Sequence, residues 1–199
     1  MTTLRIAKTL VSSAVNGPGR RFVIWVQGCR LGCRGCFNPE FWDEAGGEVV
    51  NVADLAARIL DTPGIEGVTF SGGEPMQQAT GLLALVQLLQ STDLTFVCYT
   101  GHVYEELRQG RTPGILALLK HLDILIDGPF DESLKAALLW RGSRNQRVIF
   151  LTDRYATLAP IVASQGQREA ELIVDSTGVH ITGIFDPALW KKLQRKFQQ

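Results

Sequence analysis

Phe22-Val23-Ile24-Trp25-Val26-Gln27-Gly28-Cys29-Arg30-Leu31-Gly32-Cys33-Arg34-Gly35-Cys36 is the stretch that decides how this chain is read. Its first five residues are continuously apolar, as in a strand buried on both faces of a sheet. That strand feeds directly into a loop holding three of the chain's four cysteines within eight residues. Thiolates at C-x3-C-x2-C spacing can converge on one polynuclear iron centre. Closed structural iron–sulfur and zinc sites usually take four protein ligands. Three thiolates therefore leave one metal position open for a chelating small molecule.

Working outward, Gly67 to Phe70 reads as a second strand, ending at Ser71-Gly72-Gly73-Glu74-Pro75. Gly72 and Gly73 let backbone approach a ligand closely, Glu74 adds an acceptor for an ammonium, and Pro75 fixes the exit angle. A phosphate loop is the rival reading, but no lysine follows and the acid would repel phosphate. A plain tight turn stays open as an alternative. Thr95 to Tyr99, Asp123 to Ile126 and Arg147 to Leu151 supply three more strands. Helices are expected from the Asn51 cap to Leu60, from Gln77 to Gln90, and around Val103–Arg108, Gly114–Lys120 and Glu132–Leu139. Strands alternating with helices make an α/β fold with a largely parallel sheet. Ligand-binding residues of such folds collect at the carboxyl ends of strands. The cysteine loop, the GGEP segment, Thr100-Gly101 and Asp127-Gly128 each follow a predicted strand.

Composition sets the frame. A chain of 199 residues is long enough for one domain with a sizeable core. Lys plus Arg number 20 and Asp plus Glu number 20, so nothing argues for nucleic-acid binding. The amino-terminal apolar stretch breaks at Ser12-Ser13, too short for a secretory signal, and no run approaches a membrane span. A cytoplasmic location follows, which suits free thiolates.

In sequence the chain resembles the radical S-adenosylmethionine enzymes, whose hallmarks are C-x3-C-x2-C in a loop and a GGEP-type segment. Within them, Asn16-Gly17-Pro18-Gly19-Arg20-Arg21, Gly28-Cys29, Cys36-Phe37-Asn38-Pro39, Trp42, Tyr99-Thr100-Gly101, Asp123 to Gly128 and Trp140 to Arg147 look like the activating enzymes of anaerobic ribonucleotide reductase. Several separated motifs in order are more specific than one cysteine pattern. The resemblance implies a partial (β/α) barrel of the radical S-adenosylmethionine type. It implies a [4Fe-4S] cluster on Cys29, Cys33 and Cys36 and S-adenosylmethionine as cofactors. Gly72, Gly73, Glu74 and Pro75 would hold the methionine amino group, with Thr100 and Asp127 offered to the ribose or the methionine end. The implied activity is a glycyl radical placed on the reductase, a large protein partner, with flavodoxin or ferredoxin as one-electron donor. No side-chain acid or base is required. One departure stands out: many superfamily members carry an aromatic before the last cysteine, where this chain has Gly35. The reductase activators accept glycine there, and Phe37 or Trp42 offers an aromatic surface instead.

Two enzymic alternatives and one other remain. The same chemistry could serve a peptide or a small purine-like substrate. Alternatively, the three cysteines with Cys98, His102, His121 or His180 would make the structural zinc site of an interaction protein. Cys98, in an apolar strand-like run, reads as core. The chain divides at about residue 154 into a core (1–154) and an extension (155–199). In the extension a β-hairpin through Glu171–Asp175 and Val179–Ile184 precedes a helix from Pro187 to Phe197.

Overall fold

The computed structural model describes residues 1–164, 169–175, 178–185, 192, 195 and 196. Its centre is a seven-stranded mixed sheet, so the fold is α/β. Four parallel strands form the middle: β2 (Arg21–Val26), β4 (Gly67–Gly72), β5 (Thr95–Tyr99) and β6 (Ile124–Asp127). On one side β1 (Thr3–Ser13) pairs antiparallel with β2, and β3 (Glu48–Asn51) pairs antiparallel with β1. On the other, β9 (Arg147–Phe150) pairs antiparallel with β6. The strands expected from apolar runs are all present, each with ends within two residues of the expected ones.

The sheet is buried on both faces, as the unbroken apolar run of β2 requires. Phe22, Ile24 and Val26 share one cluster with Phe70, Phe96 and Cys98 and with helices α1 (Val52–Leu60), α2 (Ala79–Leu89) and α4 (Ile115–Leu119). Asn51 caps α1 as its sequence predicts, accepting from the Ala53 N–H at 2.8 Å. Val97, Ile124 and Ile126 point the other way, against Leu139, Trp140 and Val162 of the segment beyond β6. On that same inner face the fully buried Arg21 donates through every guanidinium N–H: to Thr69, to the Pro18 carbonyl, to the Val68 carbonyl and twice to Thr95. Burial lowers its pKa, and five satisfied donors are what make the charge tolerable there.

The expected helix over Glu132–Leu139 is not formed. A short 3-10 turn, Glu132–Leu134, is capped by Asp131 and gives way to β7 (Lys135–Leu138), which pairs with β8 (Arg141–Ser143). Asp131 takes both the N–H and the hydroxyl of Ser133, and Trp140 has φ of 58°, a left-handed turn that no helix passes through. Similarly, the helix expected from Gln77 begins as a 3-10 turn, Pro75–Gln78, before α2.

After β9, α5 (Ala159–Ala163) leads to β10 (Ala170–Asp175) and β11 (Gly178–Gly183), an antiparallel pair. Thr182 bonds the Asn16 amide at 2.8 Å, and Glu171 accepts from the Ala14 N–H at 3.3 Å. The terminal helix expected over Pro187–Phe197 lies outside the described residues, apart from three of them. Among the described residues no helix is long and apolar enough to cross a membrane.

Candidate metal and cofactor centre

Three loops meet at the carboxyl edge of the parallel strands. The loop after β2 carries the cysteines, and its root is fastened twice: Gly28 N–H donates to Phe41 O at 2.8 Å and Cys29 N–H to Trp42 O at 3.1 Å. The loop after β4 crosses it so closely that a Cβ on Gly73 would sit 2.3 Å from the Gly28 carbonyl oxygen. Only glycine permits that approach. Gly73 N–H donates to Val26 O at 2.7 Å and Glu74 N–H to Gly28 O at 2.8 Å. With those N–H groups spent, the segment offers a ligand carbonyl oxygens, acceptors that suit an ammonium and not a phosphate.

Glu74 is almost fully buried and its carboxylate is a clasp. Oε1 accepts from Met76 N–H and from the Thr100 hydroxyl, each at 2.8 Å, and Oε2 from Gly101 N–H at 2.8 Å. Burial nevertheless pushes its carboxyl above the ordinary range, the three donors pulling the other way. Thr100 spends its hydroxyl hydrogen on Glu74 and accepts the His102 N–H at 3.1 Å, so it joins loops. Pro75, buried, opens the 3-10 turn at the position where its missing N–H costs nothing.

Asp127 is not brought to the cysteines. Its carboxylate, buried at the end of β6, takes a two-pronged pair from Arg147 and the Tyr104 N–H at 2.8 Å. Arg147 also holds Glu105 at 2.7 Å. Asp127 thus fixes α3 (Tyr104–Leu107) and β9 around the loop that follows it.

Cys29, Cys33 and Cys36 line one cavity of about 140 Å³ together with Gly72, Gly73 and Glu74. Among the described residues no three metal-ligating side chains converge on a single ion. A polynuclear cluster needs no such convergence, because each thiolate takes a different iron. Zinc would need it, and Cys98, fully buried in the helix-side core, cannot complete such a site. The thiols are prepared unequally. Burial pushes the Cys29 and Cys33 thiols up, against backbone N–H groups of Leu31 and Gly32 at Cys29 and of Phe130 at Cys33 that favour thiolate. Cys36 sulfur accepts the Asn38 N–H at 3.4 Å. A bound cation would favour the thiolate of Cys29 and Cys33 against that burial. Trp42 lines the same cavity with a buried indole N–H that has no partner among the described residues, a donor of the kind cluster sulfurs accept. The residues present fit a [4Fe-4S] cluster.

Sequence reasoning missed Phe130 and Gln146 as cavity residues. The rule that ligands gather after strands pointed to the Asp127-Gly128 loop, and following it two residues further reaches Phe130. Gln146 links the loops, accepting the Gly142 N–H at 2.9 Å and donating to Gly128 O at 3.2 Å.

A cysteine-bearing loop on a mixed α/β sheet of this kind defines a single-cluster iron–sulfur domain, and the family model described as 4Fe-4S single cluster domain matches residues 15–149. A curated relative from Enterobacteria phage T4, named anaerobic ribonucleoside-triphosphate reductase-activating protein, is 34% identical over 146 residues, covering 70% of this chain and 89% of that protein. The like-named protein of Vibrio cholerae serotype O1 is 36% identical over 145 residues, covering 66% and 88%. The chain belongs to the family of anaerobic ribonucleoside-triphosphate reductase-activating proteins. That membership bears out the resemblance to the reductase activators drawn from the sequence, and the matched model bears out the expected [4Fe-4S] cluster. The crystal structure of QueE from Escherichia coli overlaps 51% of this chain and 54% of that one, with a TM-score of 0.42 and 20% identity, too partial an overlap to add to this.

Proposed function

We propose that this protein is the glycyl-radical activase of an anaerobic ribonucleotide reductase. The observation that carries the reading is the meeting, in one cavity, of three cysteines with a GGEP segment whose N–H groups are already spent. Cys29, Cys33 and Cys36 hold the cluster. The carbonyls of Gly72 and Gly73 receive the methionine ammonium, while Glu74, Pro75 and Thr100 keep those carbonyls in place. Asp127 acts at one remove by fixing the Gly128–Phe130 loop. When bound, the cluster and S-adenosylmethionine supply a 5'-deoxyadenosyl radical, and the substrate hydrogen is taken from a backbone glycine of the reductase. The protein's own share is to orient the cofactor and exclude water and other hydrogen donors.

The sheet is read as a partial (β/α) barrel, with residues 1–154 as the catalytic core and 155–199 as an extension packed on it. A flavodoxin or ferredoxin delivers the electron in the cytoplasm, and neither nucleic acid nor membrane takes part. The test is anaerobic. Cluster-loaded protein, S-adenosylmethionine, reductant and the reductase are combined, and the glycyl-radical signal is read by electron paramagnetic resonance. A signal that Cys33→Ala abolishes supports the reading. Steady 5'-deoxyadenosine release with no radical on the reductase would point to a peptide or small-molecule substrate.

A further inference from the structure

The cysteine cavity opens into a second, larger one of about 830 Å³ on the inner face of the sheet; Cys36, Phe37, Ser71, Tyr99 and Phe130 line both. Its floor is Trp25 and Tyr99, and Trp140 stands on the side of β9. Among the described residues the charged ones lining it are Lys8 and Glu40, one of each sign, so this lining is aromatic and close to neutral. The remaining wall comes from outside the matched family region, which ends at residue 149. It is the inner side of β11 and the residues after it: Ile181, Thr182, Gly183, Ile184 and Phe185.

This wall is fixed to the core at three points. The buried Thr182–Asn16 bond joins it to the turn before β2, Gly183 packs so tightly that a Cβ would sit 2.9 Å from Val15, and Phe185 meets Phe37 edge-on at 5.9 Å between ring centres. Phe37 follows the last cysteine directly, so the extension reaches the rim of the metal centre. On the same face of the hairpin, where Leu172 pairs with Ile181 and Val174 with Val179, Leu172 and Val174 are exposed, 45% and 70%. A hairpin serving only to cover the core would keep its inner apolar residues buried, yet Ile181, Ile184 and Phe185 stay half-buried along the cleft.

We infer that β11 and Phe185 form a docking wall for the reductase segment that carries the glycine, narrowing the cleft so that an extended, uncharged and side-chain-poor peptide is admitted beside the cluster. The inference rests on the activase reading and adds to it the residues that grip the partner. With one cation and one anion along it, the cleft gives a phosphorylated nucleotide or a highly charged peptide too little counter-charge to offset desolvation. A glycine-bearing segment brings no charge to desolvate, and its backbone lies against rings and the small wall residues.

The rate of glycyl-radical formation is measured against reductase concentration, using cluster-loaded protein and the whole reductase of the same source. Phe185→Ala is expected to raise KM for the reductase about tenfold, as loss of an aromatic anchor does, with kcat retained. Leu88→Ser, exposed on α2 at the other face of the sheet, leaves both constants as they were. An unchanged KM in Phe185→Ala while the unaltered protein forms radical overturns the docking wall and leaves the activase reading standing. A fall in kcat together with lost iron makes Phe185 a structural support and also overturns it. An unaltered, iron-loaded protein that places no radical on the reductase overturns the activase reading itself.

Discussion

Thr100 gives its hydroxyl hydrogen to Oε1 of Glu74 at 2.8 Å, so the loops ending β4 and β5 are joined through a buried carboxylate. The clasp holds the glycine carbonyls beside the cysteines, with both carboxylate oxygens engaged by protein donors. Its removal is therefore a loss of position more than a loss of chemistry.

Glu74→Gln replaces an acceptor with an amide that must turn an N–H toward one of three donors. It should cost about 1–3 kcal/mol of stability, the penalty for a buried unsatisfied pair, and weaken S-adenosylmethionine binding measured by calorimetry. The pH dependence gives a second check. Burial holds the folded carboxyl above its ordinary 4.5, so the folded chain keeps a proton the unfolded chain has released. That contribution is complete below the unfolded value and is lost as pH rises through the folded one. The glutamine variant, having no proton to lose, should show a flatter decline in urea midpoint as pH rises from the unfolded value.

Arg147→Ala strips the partner from a carboxylate whose side chain is 1% exposed. Breaking a fully buried pair costs about 3–5 kcal/mol; Arg147 is itself 45% exposed, so the expected loss is nearer 2 kcal/mol after solvent screening. Denaturant unfolding measures it. Iron content per folded chain should hold, because Asp127 does not line the cysteine cavity.

Gly73→Ala places a methyl 2.3 Å from the Gly28 carbonyl, a backbone atom that cannot step aside. The two loops must part, and iron and sulfide incorporation on anaerobic reconstitution should fall severalfold. Metal analysis beside circular dichroism separates this from misfolding.

Cys98→Ser separates core from ligand. A buried hydroxyl in place of a thiol among Phe22, Phe70 and Phe96 should cost roughly 1–3 kcal/mol, with the cluster's absorption retained. Cys29, Cys33 and Cys36, changed singly, should each lose it.

The parallel strands were legible because each is a short apolar run closed by glycine or a polar turn, and their loops follow from topology. β1 was not, since Arg5, Lys8, Thr9 and Ser12 break any apolar run, and it is held as a strand by neighbours on both edges. Glu132–Leu139 carries helix-forming residues, yet the Asp131 turn and the partner strand β8 outweigh that propensity. In the centre, residue type located Glu74, Thr100 and Asp127 but not the direction of their side chains. Each bonds a partner far away in sequence, Thr100 donating to Glu74, Glu74 accepting from Gly101 and Asp127 from Arg147, and a motif cannot display those.

The cysteine loop is tied down at its root, by Phe41 and Trp42, and none of its three thiols belongs to either apolar core. Folding is therefore expected to proceed without metal loading. A centre stripped of its cluster should then leave behind an intact receptacle, so that repair would call for a fresh delivery of iron and sulfide and not for a newly made polypeptide.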